Sequence, residues 1–309
     1  MGRSKPILVT GSHRSGTTWV GRMIASSPAV LYIHEPFNVK HYTDESEVQF
    51  RYWFTHLCQE NEGQYYRYIK NILDFRYDLP KQLRSAKTLQ AVKEEAKNYI
   101  QHLQYRLSGI RPLIKDPIAL FSAEWFSSRF NADVLVMIRH PAAFAGSLKV
   151  KNWNFPFSDL INQPLLMERY LYPFEAEIIE FTEVQQDIVD QAALLWKLLH
   201  YVILHYQKTH PEWLFVRHED LSQHPLAGFQ AIFEQLNLEF TPQSAAVIQS
   251  YSSVHQSDTL KPEVEYVDLK RDSLANILTW KQRLTASEIE RIRQRVQDVS
   301  RAFYADNEW

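Results

Sequence analysis

Gly11-Ser12-His13-Arg14-Ser15-Gly16-Thr17-Thr18 sets two glycines around a basic side chain, directly after a short apolar run. Backbone N–H groups at a helix start are unpaired and lie at the positive end of the helix dipole. A glycine loop leading into a helix can therefore cradle an anion. Loops that bind nucleoside triphosphates place Lys directly after the second glycine to reach the outer phosphates. Here Thr17 holds that place, and the cation is Arg14, two positions before Gly16. A second cluster begins at Val134-Leu135-Val136-Met137-Ile138, which ends in Arg139-His140-Pro141, with Ser147 eight positions beyond Arg139. An arginine can make a forked contact to a phosphate, and a serine hydroxyl adds a donor. A strand that positions magnesium for ATP chemistry would end in Asp; this one ends in Arg. Proton-transfer candidates are Glu35 and His34, in Ile33-His34-Glu35-Pro36. An unperturbed His titrates nearer neutrality than a Glu, and burial can raise the Glu. Lys115-Asp116-Pro117 adds a cation and a carboxylate.

The elements that must position these groups are short. Pro6–Val9, Val30–Ile33, Leu113–Ile114, Val134–Ile138 and Trp213–Val216 are apolar, largely β-branched runs of strand length. Helices are expected from Trp19 to Ala25, up to about Arg129, from Pro141, and from Ala192 to Lys208. Thr241-Pro242 reads as an N-cap with Pro at N1, and Thr285 with Glu288 as a capping box. Ile289, Ile292, Val296, Val299 and Phe303 form an apolar helical stripe suited to core packing. Strands alternating with helices imply a parallel sheet covered on both faces, with ligands beyond its carboxyl ends. The chemistry-bearing residues all follow strands.

Arg14-Ser15-Gly16-Thr17-Thr18-Trp19 resembles the 5′-phosphosulfate-binding motif of sulfotransferases. Arg139 with Ser147 is similar to that family's 3′-phosphate-binding motif, and lies about 120 residues downstream, as the family places it. Arg217-His218-Glu219-Asp220-Leu221 resembles the family's Arg-Tyr-Glu-Asp-Leu segment, with His218 in place of the nucleotide-contacting Tyr. Trp280-Lys281-Gln282-Arg283-Leu284 resembles its closing Trp-x-x-x-Leu. Arg at position 14 resembles the carbohydrate- and protein-sulfating branches more than the cytosolic one. The cytosolic branch also keeps a catalytic His in Lys-x-His, which Lys115-Asp116-Pro117 lacks.

The resemblance implies an α/β fold: one P-loop NTPase-like domain over 1–309, with a central parallel sheet flanked by helices. It carries a helical, aromatic insertion over 40–108 and an acceptor lid over 151–180. It implies transfer of a sulfuryl group from 3′-phosphoadenosine-5′-phosphosulfate (PAPS) to a hydroxyl or amine, leaving PAP, with no metal. The donor-binding set is then Arg14, Ser15, Gly16, Thr17, Thr18, Trp19, Arg139, Ser147 and His218. Lys270-Arg271 is either a loop over the 3′-phosphate or a solvated basic turn. Glu35 or His34 is the base, Lys115 assists the sulfuryl group, and Asp116 holds Lys115 or the acceptor. Most aromatics of 50–68 suit core packing, while Trp153, Phe155 and Phe157 suit the lid. The acceptor expected is a small molecule or glycan, with a carbohydrate or glycolipid favoured.

Composition excludes little. Apolar residues are 45% and charged residues 23% of the 309, and net charge is −2, so no basic field points to nucleic acid. The lone Cys58 excludes an intramolecular disulfide and suits a cytoplasmic setting. No run reaches membrane-span length. The oligomeric state is not readable. The competing readings are a P-loop kinase and a catalytically silent PAP- or nucleotide-binding module.

Overall fold

In the computed structural model, which describes residues 5–40, 48–252 and 277–309, the five apolar runs form one sheet. Its strands are β1 (Ile7–Gly11), β2 (Val30–His34), β3 (Arg111–Lys115), β4 (Asp133–Ile138) and β5 (Leu214–Arg217). The order is β2-β3-β1-β4-β5 and every pairing is parallel, with Val9 of β1 opposite Lys115 of β3 and Leu135 of β4. The α/β class and central parallel sheet are as the sequence implied.

Side-chain alternation splits the core in two. Leu8, Ile114, Val134, Val136 and Ile138 face one hydrophobic cluster, and Ile7, Val9, Leu113, Leu135 and Met137 face the other. The first is covered by the long helix Ile188–Thr209 and by Ala286–Ser300, whose Ile292, Val296 and Val299 are buried, as is Phe303 just beyond it. The second is covered by helix Thr17–Ile24 and by Phe229, Ile232 and Phe233 of Pro225–Gln235. The caps form where expected. Ser244 N–H donates to Thr241 Oγ1 (3.1 Å), and Thr285 and Glu288 close a reciprocal capping box.

Strands β2 and β3 lie to one side of β1, and β4 and β5 to the other. The chain thus reverses its winding at β1, the place where a ligand crevice opens at the carboxyl end of such a sheet.

Two expectations need correcting. The prolines and aromatics of 151–180 suggest an irregular excursion, but the segment is not irregular throughout. It holds short helical turns over Ser158–Phe174 and a helix at Glu175–Glu183, leaving extended chain chiefly around 152–157. Phe157 is not part of a cover over the site: it is buried between Phe155 and Phe181 (5.2 Å to each). The following helical turns draw it into the core. Residues 63–108 form the helices Gly63–Leu73, Leu79–Ser85 and Leu89–Ser108, with no strand among the described residues of 48–108. Lys270 and Arg271 lie outside the described residues.

Candidate active site

The glycine loop bridges β1 and helix Thr17–Ile24. Ser15 closes it, its N–H and hydroxyl both donating to the Ser12 carbonyl (3.2 and 2.5 Å). The Ser15 side chain therefore braces the loop. Gly16 has φ +93°, and a Cβ there would lie 2.6 Å from Nδ1 of His218. Glycine is required twice over: for the left-handed backbone and for the close approach of the imidazole.

The loop meets the second cluster directly. Arg14 Nε donates to Ser147 Oγ at 2.9 Å, and Arg139 Nη1 reaches the Arg14 carbonyl at 3.5 Å. Residues 133 and 125 positions apart in the chain thus share one end of the sheet. Arg139 is held from behind by Glu219 (3.7 Å). Glu219 also accepts from His140 N–H (3.0 Å) and from the Tyr304 hydroxyl (2.9 Å). Tyr304 is a structural support that sequence reasoning missed; Glu219 lay within the family-like segment 217–221, but no local spacing ties it to Arg139.

Thr17 is buried and Thr18 half-buried at the helix start. Trp19 packs edge-on against His218 (5.7 Å) and Phe229 (5.2 Å). His218 therefore leans on the loop. Burial, reinforced by the charge of Arg139, holds its pKa well below the ordinary value, so it is neutral. The Ser12 hydroxyl, Trp19 Nε1 and His218 Nδ1 are all buried without a hydrogen-bond partner. A cationic rim over a loop with three orphaned polar groups fits an oxyanion-rich nucleotide: it supplies donors that the protein itself leaves unused.

Lys115 and Glu35 stand beside the loop. The Lys115 side chain is fully buried and runs past Gly21, where a Cβ would come within 3.2 Å of it. Its ammonium donates to Glu35 Oε1, while Asn38 Nδ2 donates to Oε2 at 2.8 Å. Burial pushes the Glu35 carboxyl up, but the charge and hydrogen bond of Lys115 and the bond from Asn38 outweigh it. The carboxyl ends below its ordinary value. The rise expected from burial is thus reversed by a neighbour 80 residues away. Burial also depresses Lys115, opposed by Glu35. His34, half-exposed, lies against Tyr32 and 3.9 Å from Glu35 Oε2.

Asp116 holds neither Lys115 nor an open position for an acceptor. Its oxygens accept from the Phe37 and Ile118 N–H groups (2.7 and 3.1 Å), tying the chain after β2 to the end of β3. Burial, with Glu35 nearby, pushes its pKa up to about 8 against those hydrogen bonds.

A cavity of about 80 Å³ opens here, lined by His13, Glu35 and Asn38 and walled by Trp53, Phe54, Trp153 and Phe155 with Pro117, Ile118 and Pro156. Trp153 and Phe155, the residues expected in a cover, thus line this cavity. Phe50, Tyr65, Tyr66 and Tyr68 pack into or against the core. The volume is that of two or three waters, at about 30 Å³ each. His13 was missed by sequence reasoning, although it stands inside the glycine loop. Asn38 offered no signal beyond lying three residues after Glu35. Among the described residues, no group of His, Cys, Asp and Glu could hold a metal, and no helix is long and apolar enough to cross a membrane.

The sequence model of the sulfotransferase family matches residues 6–242. No curated protein matches significantly. Among solved structures, the chain is similar to a sulfotransferase domain from the curacin biosynthetic pathway (TM-score 0.52, 15% identity, covering 95% of this chain and 97% of that one). It is also similar to a sulfotransferase domain from the Synechococcus PCC 7002 olefin synthase (TM-score 0.51, 15% identity, 99% and 98%). At these identities the structural likeness speaks for the fold.

Proposed function

Because the chain belongs to the sulfotransferase family, whose model spans most of it, we propose that it transfers a sulfuryl group from PAPS to an acceptor hydroxyl or amine by in-line single displacement, releasing PAP. The observation that carries this reading is the junction of Arg14 with Ser147 and Arg139 at the carboxyl ends of β1 and β4. It joins the two segments read as anion-binding motifs, and His13, the residue before Arg14, lines a cavity together with Glu35.

Each residue has a task in this reading. The loop N–H groups from Gly16 to Thr18, with Arg14, hold the 5′-phosphosulfate and stabilise charge that develops on the bridging oxygen. Arg139 and Ser147 hold the 3′-phosphate, and Trp19 and His218 back the nucleotide. Lys115, kept charged and aimed by Glu35, steadies the sulfuryl oxygens. Glu35 and Asn38 hold Lys115 and the acceptor in line. The acceptor proposed is a carbohydrate or glycolipid. The Trp53 and Trp153 rings, 6.4 Å apart and steeply inclined, offer its stacking surface. The cavity between them admits the reacting hydroxyl rather than a whole ring. No metal takes part.

Calorimetric titration tests the donor. Wild type is expected to bind PAP tightly and ATP with magnesium weakly. Arg139→Ala is expected to weaken PAP binding about 10- to 150-fold, the worth of one charge-assisted hydrogen bond (about 1.5–3 kcal/mol). Preference for ATP with magnesium would return the chain to phosphoryl transfer. Tight PAP binding with no transfer of label from PAPS to sugars, alcohols or amines would make it a silent binding module.

A further inference from the structure

We infer that His13, rather than Glu35 or His34, takes the proton from the acceptor hydroxyl; the inference rests on the sulfotransferase reading of the same site. The acceptor oxygen forms its bond to sulfur as its proton passes to the imidazole. The bond from sulfur to the oxygen of the 5′-phosphate breaks, and its electron pair leaves with PAP. The imidazolium then gives the proton to solvent.

Geometry favours His13 over both competitors. Glu35 has both oxygens hydrogen-bonded, to Lys115 and Asn38. His34 is half-exposed and does not line the cavity. His13 lines the cavity, is only 8% exposed, and is the residue next to Arg14, so it adjoins the expected position of the sulfuryl group. Its ring is clamped by Phe144 and Trp153 (5.0 Å each) and Phe54 (5.7 Å). Despite that burial, Nδ1 has no hydrogen-bond partner. A phenyl ring would fill the same space without orphaning a nitrogen, so packing alone does not account for an imidazole. Burial, then the charge of Arg14, against the opposing charge of Glu35, lowers its pKa to about 3. The ring is therefore neutral, with one nitrogen lone pair, at neutral pH. An anionic donor bound at Arg14 would offset that cation and raise the basicity of the ring once the acceptor is in place.

The test needs no knowledge of the acceptor, because water can take its place and hydrolysis of PAPS releases sulfate. Sulfate release from ³⁵S-labelled PAPS is measured for wild type, His13→Asn, His13→Ala and Glu35→Gln, beside calorimetric PAP affinity. We expect His13→Asn to slow release about 100-fold or more, the range of general-base catalysis, with PAP affinity within about twofold of wild type. Added imidazole should restore release by His13→Ala, which a merely structural ring would not allow. Unchanged release in His13→Asn overturns the inference, as does a loss matched by lost PAP affinity, or His13→Ala deaf to imidazole. A wild type that binds PAP but releases no sulfate above the buffer rate overturns it too. Abolished release in Glu35→Gln alone would assign the base to Glu35. Failure of wild type to bind PAP would instead refute the donor reading.

Discussion

Glu35 is held at φ +42°, left-handed backbone that a residue with a Cβ rarely adopts, and its carboxylate is the counter-ion of a fully buried ammonium. Replacing it by Ala leaves Lys115 charged and without its carboxylate. Breaking one side of a buried pair is destabilising by about 3–5 kcal/mol. Glu35 is 19% exposed and borders a cavity, so water can partly solvate the orphaned ammonium, and we expect about 3 kcal/mol, the lower end of that range. Glu35→Gly should lose the same pair but recover about 1 kcal/mol of backbone strain, making it the more stable variant. The pH signature follows from the direction of the shifts. The Glu35 carboxyl is depressed, so its contribution is complete above the unfolded value of 4.5 and is lost as pH falls through the lower folded value. The gap between wild type and Glu35→Ala should therefore close in acid. It should also narrow in alkali, because Lys115, already depressed by burial, sheds its proton more easily without Glu35. Urea unfolding across pH, with m-values compared, measures all three. A Glu35→Ala midpoint equivalent to a loss under about 0.5 kcal/mol, or a gap independent of pH, would refute the view that this pair is a buried structural element.

Gly16→Ala sets a Cβ 2.6 Å from His218 at positive φ. It should lose PAP binding and at least about 1 kcal/mol of stability by denaturant titration; wild-type values in both would show that the loop tolerates a side chain. Asp116→Asn presents an amide N–H to one of two backbone donors, and should lower stability by about 1–3 kcal/mol at neutral pH. Because the Asp116 carboxyl is raised to about 8, this group holds more proton in the folded than in the unfolded chain from about pH 4 to 8. Its own contribution to stability falls across that window, and Asp116→Asn should lack this slope. Phe157→Ala should cost about 3–5 kcal/mol in unfolding experiments, as a core truncation. Trp153→Ala, at a residue 38% exposed, should change the acceptor KM with little change in midpoint. The reverse pattern would exchange their roles.

The strands, the glycine loop and the caps were legible in the sequence because each is decided locally. Five short apolar runs alternate with helices. Gly16 answers a demand of the backbone, and Thr285 with Glu288 satisfies donors three residues away. Arg14 and Arg139 were legible as candidate anion ligands because Arg14 stands in the glycine loop after β1 and Arg139 directly follows β4. What the sequence could not decide was which groups meet. The Arg14–Ser147 contact depends on β1 and β4 lying side by side, a consequence of strand order rather than of spacing. The charge state of Glu35 depends on Lys115, brought beside it by the β2–β3 pairing and by the room that Gly21 leaves. Phe155 and Phe157 look alike in sequence, yet only tertiary packing turned one to the cavity and the other to the core. His13 stood in view within the loop, but nothing local distinguishes a packed imidazole from an open one. That distinction arises only when Phe54 and, from a second distant segment, Phe144 and Trp153 close around the ring and leave its Nδ1 without a partner. Local patterns settle conformation because the competing backbone states lie within a few residues. Basicity and access are set by desolvation and neighbouring charge, which exist only once distant segments have packed.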